Sequence, residues 1–226
     1  MNATLIVIAK APVPGRVKTR LTPPLRPTQA AVLARAALED TLAAVAGARL
    51  PARRVVALDG YADGWLPDGF ELIAQRGGSL AQRLAGAFED VGGPALLIGM
   101  DTPQVTPGLL DAGLAALADG ADAVFGAARD GGYWAIGLAR SDPRVFDGVP
   151  MSEPYTGAAQ LERLRRLGLE TRHLPSLRDV DTFDDASAVA AAVPRGGFAA
   201  ALRDLATQST ADAANSAPLI SSQRAR

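Results

Sequence analysis

Hydrophobic positions recur along the chain with two periods, and their alternation predicts the architecture. Leu5-Ile-Val-Ile-Ala9 and Ala95-Leu-Leu-Ile-Gly-Met100 are continuous apolar runs, short enough for strands and apolar enough to be covered on both faces. Arg54 to Leu58, Glu71 to Ala74, Ala123 to Gly126, Tyr133 to Leu138 and Glu170 to Leu174 are further strand candidates. Between them the period lengthens. Leu38, Leu42 and Val45 fall at i, i+4 and i+7 of a helix expected to be capped by Thr28, to run to about Ala46 and to close at Gly47. Ser79 followed three positions later by Gln82 is a capping box for a helix to about Asp90. Thr106-Pro107 supplies a cap and a first-turn proline for a helix ending at Ala118. Gly157 to Leu167 and Phe183 to Ala192 read as the remaining helices.

Strands alternating with helices predict an α/β domain built on a single doubly wound, mostly parallel sheet. Asp130-Gly131-Gly132 between two apolar strands marks a hairpin, so a small antiparallel insertion is expected there. The domain is expected to occupy residues 1–207. The Ser-, Ala-, Asn- and Gln-rich segment 208–226 is expected to be a disordered tail.

Composition narrows the function classes. With 23 basic and 24 acidic residues and a net charge of -1, nothing global favours nucleic acid or an anionic membrane, so any basic site must be local. The absence of cysteine excludes disulfides, thiolate nucleophiles and iron-sulfur clusters, and the solitary His173 excludes multi-histidine metal sites. The first apolar run is too short for a membrane span and follows no basic segment, which leads us to expect a cytoplasmic protein without one.

Four segments carry candidate chemistry. From Lys10 to Pro27 prolines are too dense for a helix, and Arg16, Lys18 and Arg20 are spaced by two. In an extended segment these three side chains would share one face and converge on one anion, directly after the first strand, where phosphate loops sit in doubly wound folds. A solvated basic loop is the alternative. Asp101 follows the central apolar run and is expected at the ligand-binding rim of the sheet as a metal ligand, because Thr106 already fills the cap role. Asp179 and Asp181 also share a face if extended, a repulsive pair unless a cation or Arg neutralises it, and Mg2+ (or Mn2+) with a nucleotide phosphate would do so. Asp184 and Asp185 follow Thr182 as an ordinary helix start. Asp130, Gly131, Gly132 and Tyr133 suit either a plain hairpin or a close approach to a sugar or acceptor. Gln75 to Ser79, with Gly78, offers helix-start amides to a phosphate or base, although simple capping explains the same residues.

Together these segments resemble a family of bacterial proteins with a glycosyltransferase A-like fold, some of them arsenosugar-type glycosyltransferases. The likeness runs through Lys10-Ala-Pro-Val-Pro-Gly-Arg-Val-Lys-Thr-Arg-Leu21, Gly78-Ser-Leu-Ala-Gln-Arg83, Gly99-Met-Asp-Thr-Pro103, Asp130-Gly-Gly-Tyr-Trp-Ala-Ile-Gly-Leu138 and Asp179-Val-Asp-Thr182. More distantly it is similar to guanylyltransferases of cofactor biosynthesis. The resemblance implies a metal on Asp101, Asp179 and Asp181. It also implies basic first-loop residues on the phosphates. From the residues themselves, catalytic roles are expected for Arg16, Lys18 and Asp130, and nucleotide or substrate contacts from Gly15, Arg20, Gln75, Gly78, Ser79, Arg83, Gly131, Gly132 and Tyr133. Relatives often carry Asp-Ser-Pro where this chain has Asp101-Thr102-Pro103, and a tryptophan near Met151.

The expected activity is transfer of a glycosyl group from a nucleoside diphosphate sugar to a small-molecule acceptor. Nucleotidyl transfer with release of pyrophosphate is the alternative, and a nucleotide-binding module without turnover is a third reading. The basic loop favours nucleotidyl transfer, whereas the family resemblance favours glycosyl transfer. Sequence leaves the base, the acceptor and the oligomeric state open.

Overall fold

Each apolar run becomes a strand, and the longest runs take the middle of the sheet. The computed structural model describes residues 3–215. Among these, β1 (Ala3–Lys10), β2 (Ala52–Asp59), β3 (Glu71–Ala74), β4 (Ala95–Gly99), β5 (Ala123–Ala128), β6 (Tyr133–Leu138) and β7 (Thr171–Leu177) form one sheet in the order β3-β2-β1-β4-β6-β5-β7. All neighbouring strands are parallel except the two pairs that involve β6. The expected mostly parallel sheet with one antiparallel insertion is therefore the observed one.

The helices are α1 (Pro27–Ala46), α2 (Leu80–Val91), α3 (Pro107–Ala118), α4 (Thr156–Arg166), α5 (Phe183–Ala192) and α6 (Gly197–Asn215). Alternation along β1 divides the core between the two faces of the sheet. Leu5 and Val7 face Leu38 and Leu42 of α1 and Leu110 and Leu114 of α3. Ile6 points the other way, into a cluster with Phe88 of α2, Leu97, Phe146 and Leu164 of α4.

The two edges of the sheet are poorly suited to further pairing. β3 is only four residues long, with Glu71 and Leu72 exposed. At the other edge, β7 carries Pro175, which lacks a backbone donor and is tolerated because an edge strand need not donate outward.

Two expectations require correction. Helix α1 is not capped by Thr28: it starts at Pro27, and Gln29 Oε1 accepts from the Arg26 amide at 2.8 Å. Proline suits this first position because its missing donor would be unpaired in any case. Helix α6 was not expected, and it continues past Thr207 into the segment expected to be disordered; residues 216–226 lie outside those described. Its N-terminus is capped from a distance, since Asp40 of α1 accepts from Gly197 N at 3.0 Å and Phe198 N at 2.8 Å. Phe198 then packs with Leu33 of α1, Val189 of α5 and Leu205 as an outer layer. Full burial of one such side chain is worth on the order of 2 kcal/mol.

Candidate active site

Strand register gathers the acidic residues. β5 and β7 run parallel with Ala128 opposite Leu177, so the segments leaving them emerge side by side at the carboxyl edge of the sheet. Asp130 follows one strand and Asp179 and Asp181 follow the other. Their carboxylates offer oxygens that all lie within 4.8 Å of one another. Val180, between the two aspartates, is 1% exposed and donates its N–H to the Asp101 carbonyl at 2.9 Å, tying this segment to the end of β4.

Burial first, and then the Asp130 and Asp181 charges, push the Asp179 carboxyl up to about 6. Three convergent carboxylates with excess negative charge are the hard oxygen set that Mg2+ or Mn2+ prefers, so these residues fit the implied ion. The group differs in membership from the expected one, with Asp130 in the position assigned to Asp101. Asp101 lines the same cleft, but its Oδ1 lies 2.7 Å from Lys18 Nζ.

The first loop is not extended through its cations. Lys18 has a positive φ of 49° and opens a 3-10 turn over Thr19–Leu21, so the shared face predicted from period-two spacing does not form. Instead, the Lys18 ammonium sits over the acidic residues, donating to the Val180 carbonyl and lying 3.7 Å from Asp181 Oδ1. Its side chain is 7% exposed, and three acceptors surround its three hydrogens. Arg20 Nη1 lies 2.9 Å from Asp181 Oδ2. Arg16 lines the cleft from an exposed position, with no carboxylate at ion-pair distance among the described residues. It is the one cation of the three left for an incoming anion.

The cleft enclosed by these segments measures about 790 Å3, within the range of small-molecule sites. At its far end, under β1, β2 and β3, Gln75 Nε2 donates to the Ala9 carbonyl at 2.7 Å and the Ala57 carbonyl at 2.9 Å. Nearby, Arg83 Nη1 pairs with Asp59 Oδ2 at 3.0 Å. Asp59 belongs to the cleft wall and was missed in the sequence, although its place after the Arg54 to Leu58 run was a usable signal.

Gly15, Gly78, Ser79 and Gly131 do not line the cleft. Ser79 and Gln82 close the capping box on each other, Ser79 N donating to Gln82 Oε1 at 2.8 Å and Gln82 N to Ser79 Oγ at 3.3 Å, so neither amide is free for a phosphate. Gly131 is required by packing: a Cβ there would lie 1.8 Å from the Pro154 carbonyl oxygen. Gly132 donates its N–H to Asp130 Oδ1 at 2.8 Å, holding the carboxylate in the turn. Tyr133 lines the wall, but its hydroxyl meets Gln160 Oε1 at 3.4 Å, and burial pushes its pKa up. His173 lies exposed on the edge strand, away from this chemistry.

The segment between β6 and α4 closes the acidic end of the cleft with Met151, Ser152, Glu153 and Pro154. Ser152 holds a positive φ of 63°, a strained conformation for a residue with a side chain. Thr156 Oγ1 fixes the turn, accepting from Glu153 N at 2.9 Å and donating to the Pro150 carbonyl at 2.7 Å. Nothing in the sequence pattern drew attention to Glu153.

Solved structures share this architecture. A protein of Desulfovibrio desulfuricans G20, provisionally named a nucleotide-diphospho-sugar transferase, is 32% identical with a TM-score of 0.80, over 90% of this chain and 95% of that one. CMP:2-keto-3-deoxy-manno-octonic acid synthetase, solved with CTP, is 17% identical with a TM-score of 0.54, over 86% of this chain and 99% of that one. The 2-C-methyl-D-erythritol 4-phosphate cytidylyltransferase of Thermus thermophilus is 18% identical with a TM-score of 0.52, over 84% of this chain and 98% of that one. At these lower identities the likeness is one of fold. No curated protein matches the chain. A family model described as an uncharacterized protein conserved in bacteria covers residues 29–153. That stretch takes in the strands and helices from α1 to the wall of the cleft, and the chain belongs to this bacterial family, DUF2064.

Proposed function

We propose that the protein is a metal-dependent transferase that uses a nucleoside diphosphate sugar as glycosyl donor. The observation that carries this reading is the unbalanced carboxylate group of Asp130, Asp179 and Asp181 in the same cleft as Arg16, which has no carboxylate partner among the described residues. The relative at 32% identity and the arsenosugar-type glycosyltransferase resemblance favour the same donor class.

Asp130, Asp179 and Asp181 would hold Mg2+ or Mn2+, which when bound supplies positive charge to a diphosphate as it becomes the leaving group. Arg16, in the same cleft, would take the phosphates with its planar fork of donors. Lys18 and Arg20 fix the position of Asp181, and Lys18 does the same for Asp101. The end lined by Gln75, Asp59 and Arg83 is left for the nucleoside, and the Met151 to Pro154 wall for the acceptor.

Nucleotidyl transfer is the second reading, favoured by the three cations that the first loop brings to one cleft. Incubation with Mn2+ and separate panels of sugar nucleotides and nucleoside triphosphates separates the two. Nucleoside diphosphate released from a sugar nucleotide supports the proposal. Pyrophosphate released from a triphosphate overturns it in favour of the second reading, and nucleotide binding without either product indicates a module without turnover.

A further inference from the structure

The acidic side chains that line the cleft can be sorted by what each one already holds. Asp59 is paired with Arg83, Asp101 and Asp181 with Lys18, and Asp185 with Arg178. Asp130 and Asp179 complete the convergent carboxylate group. Only Glu153 remains: among the described residues it lines the cleft with neither a cation within 4.0 Å nor a place among the clustered carboxylates. Its backbone, by contrast, is held firmly, by Thr156 on one side and on the other by the Pro154 carbonyl wedged against Gly131. A strained, well-anchored turn that presents one uncommitted carboxylate to a cleft suits proton transfer, for which the base must be placed before substrate arrives.

We infer that Glu153 is the general base of the transfer reaction and that the acceptor is a hydroxyl compound seated against the Met151 to Pro154 wall. This rests on the glycosyl-transfer reading above. In the step, the Glu153 carboxylate takes the acceptor O–H proton while the acceptor oxygen forms its bond to the anomeric carbon. The bond from that carbon to the diphosphate breaks, and its electron pair leaves on the diphosphate oxygen. A hydroxyl needs such a base, whereas a phosphate nucleophile, already ionised, does not. Asp130, for which the sequence suggested a catalytic role, belongs instead to the carboxylate group that would hold the ion.

The test uses the sugar nucleotide from which the wild-type protein releases nucleoside diphosphate, with Mn2+ present. Glu153→Gln should lower kcat by about 100-fold or more, the usual scale for loss of a general base. Binding of the corresponding nucleoside diphosphate with Mn2+, followed by calorimetry, should stay within about twofold. In Glu153→Ala, azide, a nucleophile with no proton to lose, should restore turnover and yield the glycosyl azide. The inference is overturned if Glu153→Gln keeps its kcat, if nucleoside diphosphate affinity falls in step with kcat, or if azide yields no product in a variant that binds nucleoside diphosphate normally. A wild-type protein that releases only pyrophosphate from triphosphates, or no product at all, removes the glycosyl-transfer reading and this inference with it.

Discussion

The two ends of the cleft handle charge in opposite ways. At the β2 end Asp59 pairs with Arg83, and the surface outside the cleft follows the same rule, Glu71 pairing with Arg53 while Glu89 and Asp90 share Arg76. The hydrogen bond from Arg53 holds Glu71 below the usual carboxylate range. Beyond β5 and β7 three carboxylates crowd together, and one of them, Asp179, is raised. Folding gains little from exposed pairs and is penalised by an unrelieved cluster, so the cluster is the end shaped by what binds rather than by stability.

Breaking the acidic end should have the largest effect. Asp179→Asn removes one of the three proposed ligands and is expected to weaken Mn2+ binding by at least about 100-fold, the upper range for losing even an indirect partner of a metal site. Titration with Mn2+ followed by its electron spin resonance signal reads this directly. Lys18→Met should cost about 2 kcal/mol in urea unfolding, because it leaves Asp101, Asp181 and the Val180 carbonyl without their shared donor.

The pH dependence of the metal-free protein sharpens the contrast. The folded-state pKa of Asp179 is raised from 3.8 to about 6, so the folded chain holds this proton more tightly than the unfolded one. Its contribution to stability is therefore fully present below the unfolded value, declines as pH rises through that interval, and is gone above about 6. Asp179→Asn should accordingly be more heat-stable than wild type at pH 8 with chelator present, and this advantage should vanish on acidification to pH 4. At the other end, Arg83→Met, which breaks a half-exposed pair, should cost only about 0.5 kcal/mol. Equal losses from Lys18→Met and Arg83→Met would erase the distinction between the two ends.

Much of the fold was legible because its signals are local. The run from Ala95 to Ile98 is buried along its whole length, Thr106 and Pro107 start α3 as their chemistry dictates, and Asp130-Gly131-Gly132 turns the chain into the antiparallel strand β6. What escaped depends on partners distant in sequence. Phe198, Ala201, Leu202 and Leu205 carry a helical period, but the cap of α6 is supplied by Asp40 from another helix. The left-handed Lys18 is held by Asp101 and Val180, which no inspection of its neighbours reveals. Asp130 joins Asp179 through the pairing of β5 with β7, a register that spacing along the chain does not encode. Sequence therefore named most of the charged side chains in the cleft while leaving their partnerships to tertiary structure.

Pro175 and the brevity of β3 bear on how the molecule behaves among its own copies. An incoming strand would find a missing amide at one rim and too short a ladder at the other, so the sheet offers a poor template for growth from chain to chain. Resistance to fibre-like stacking is thus written into the periphery of the sheet, in the same two strands whose ends deliver Gln75 and Asp179 to the cleft.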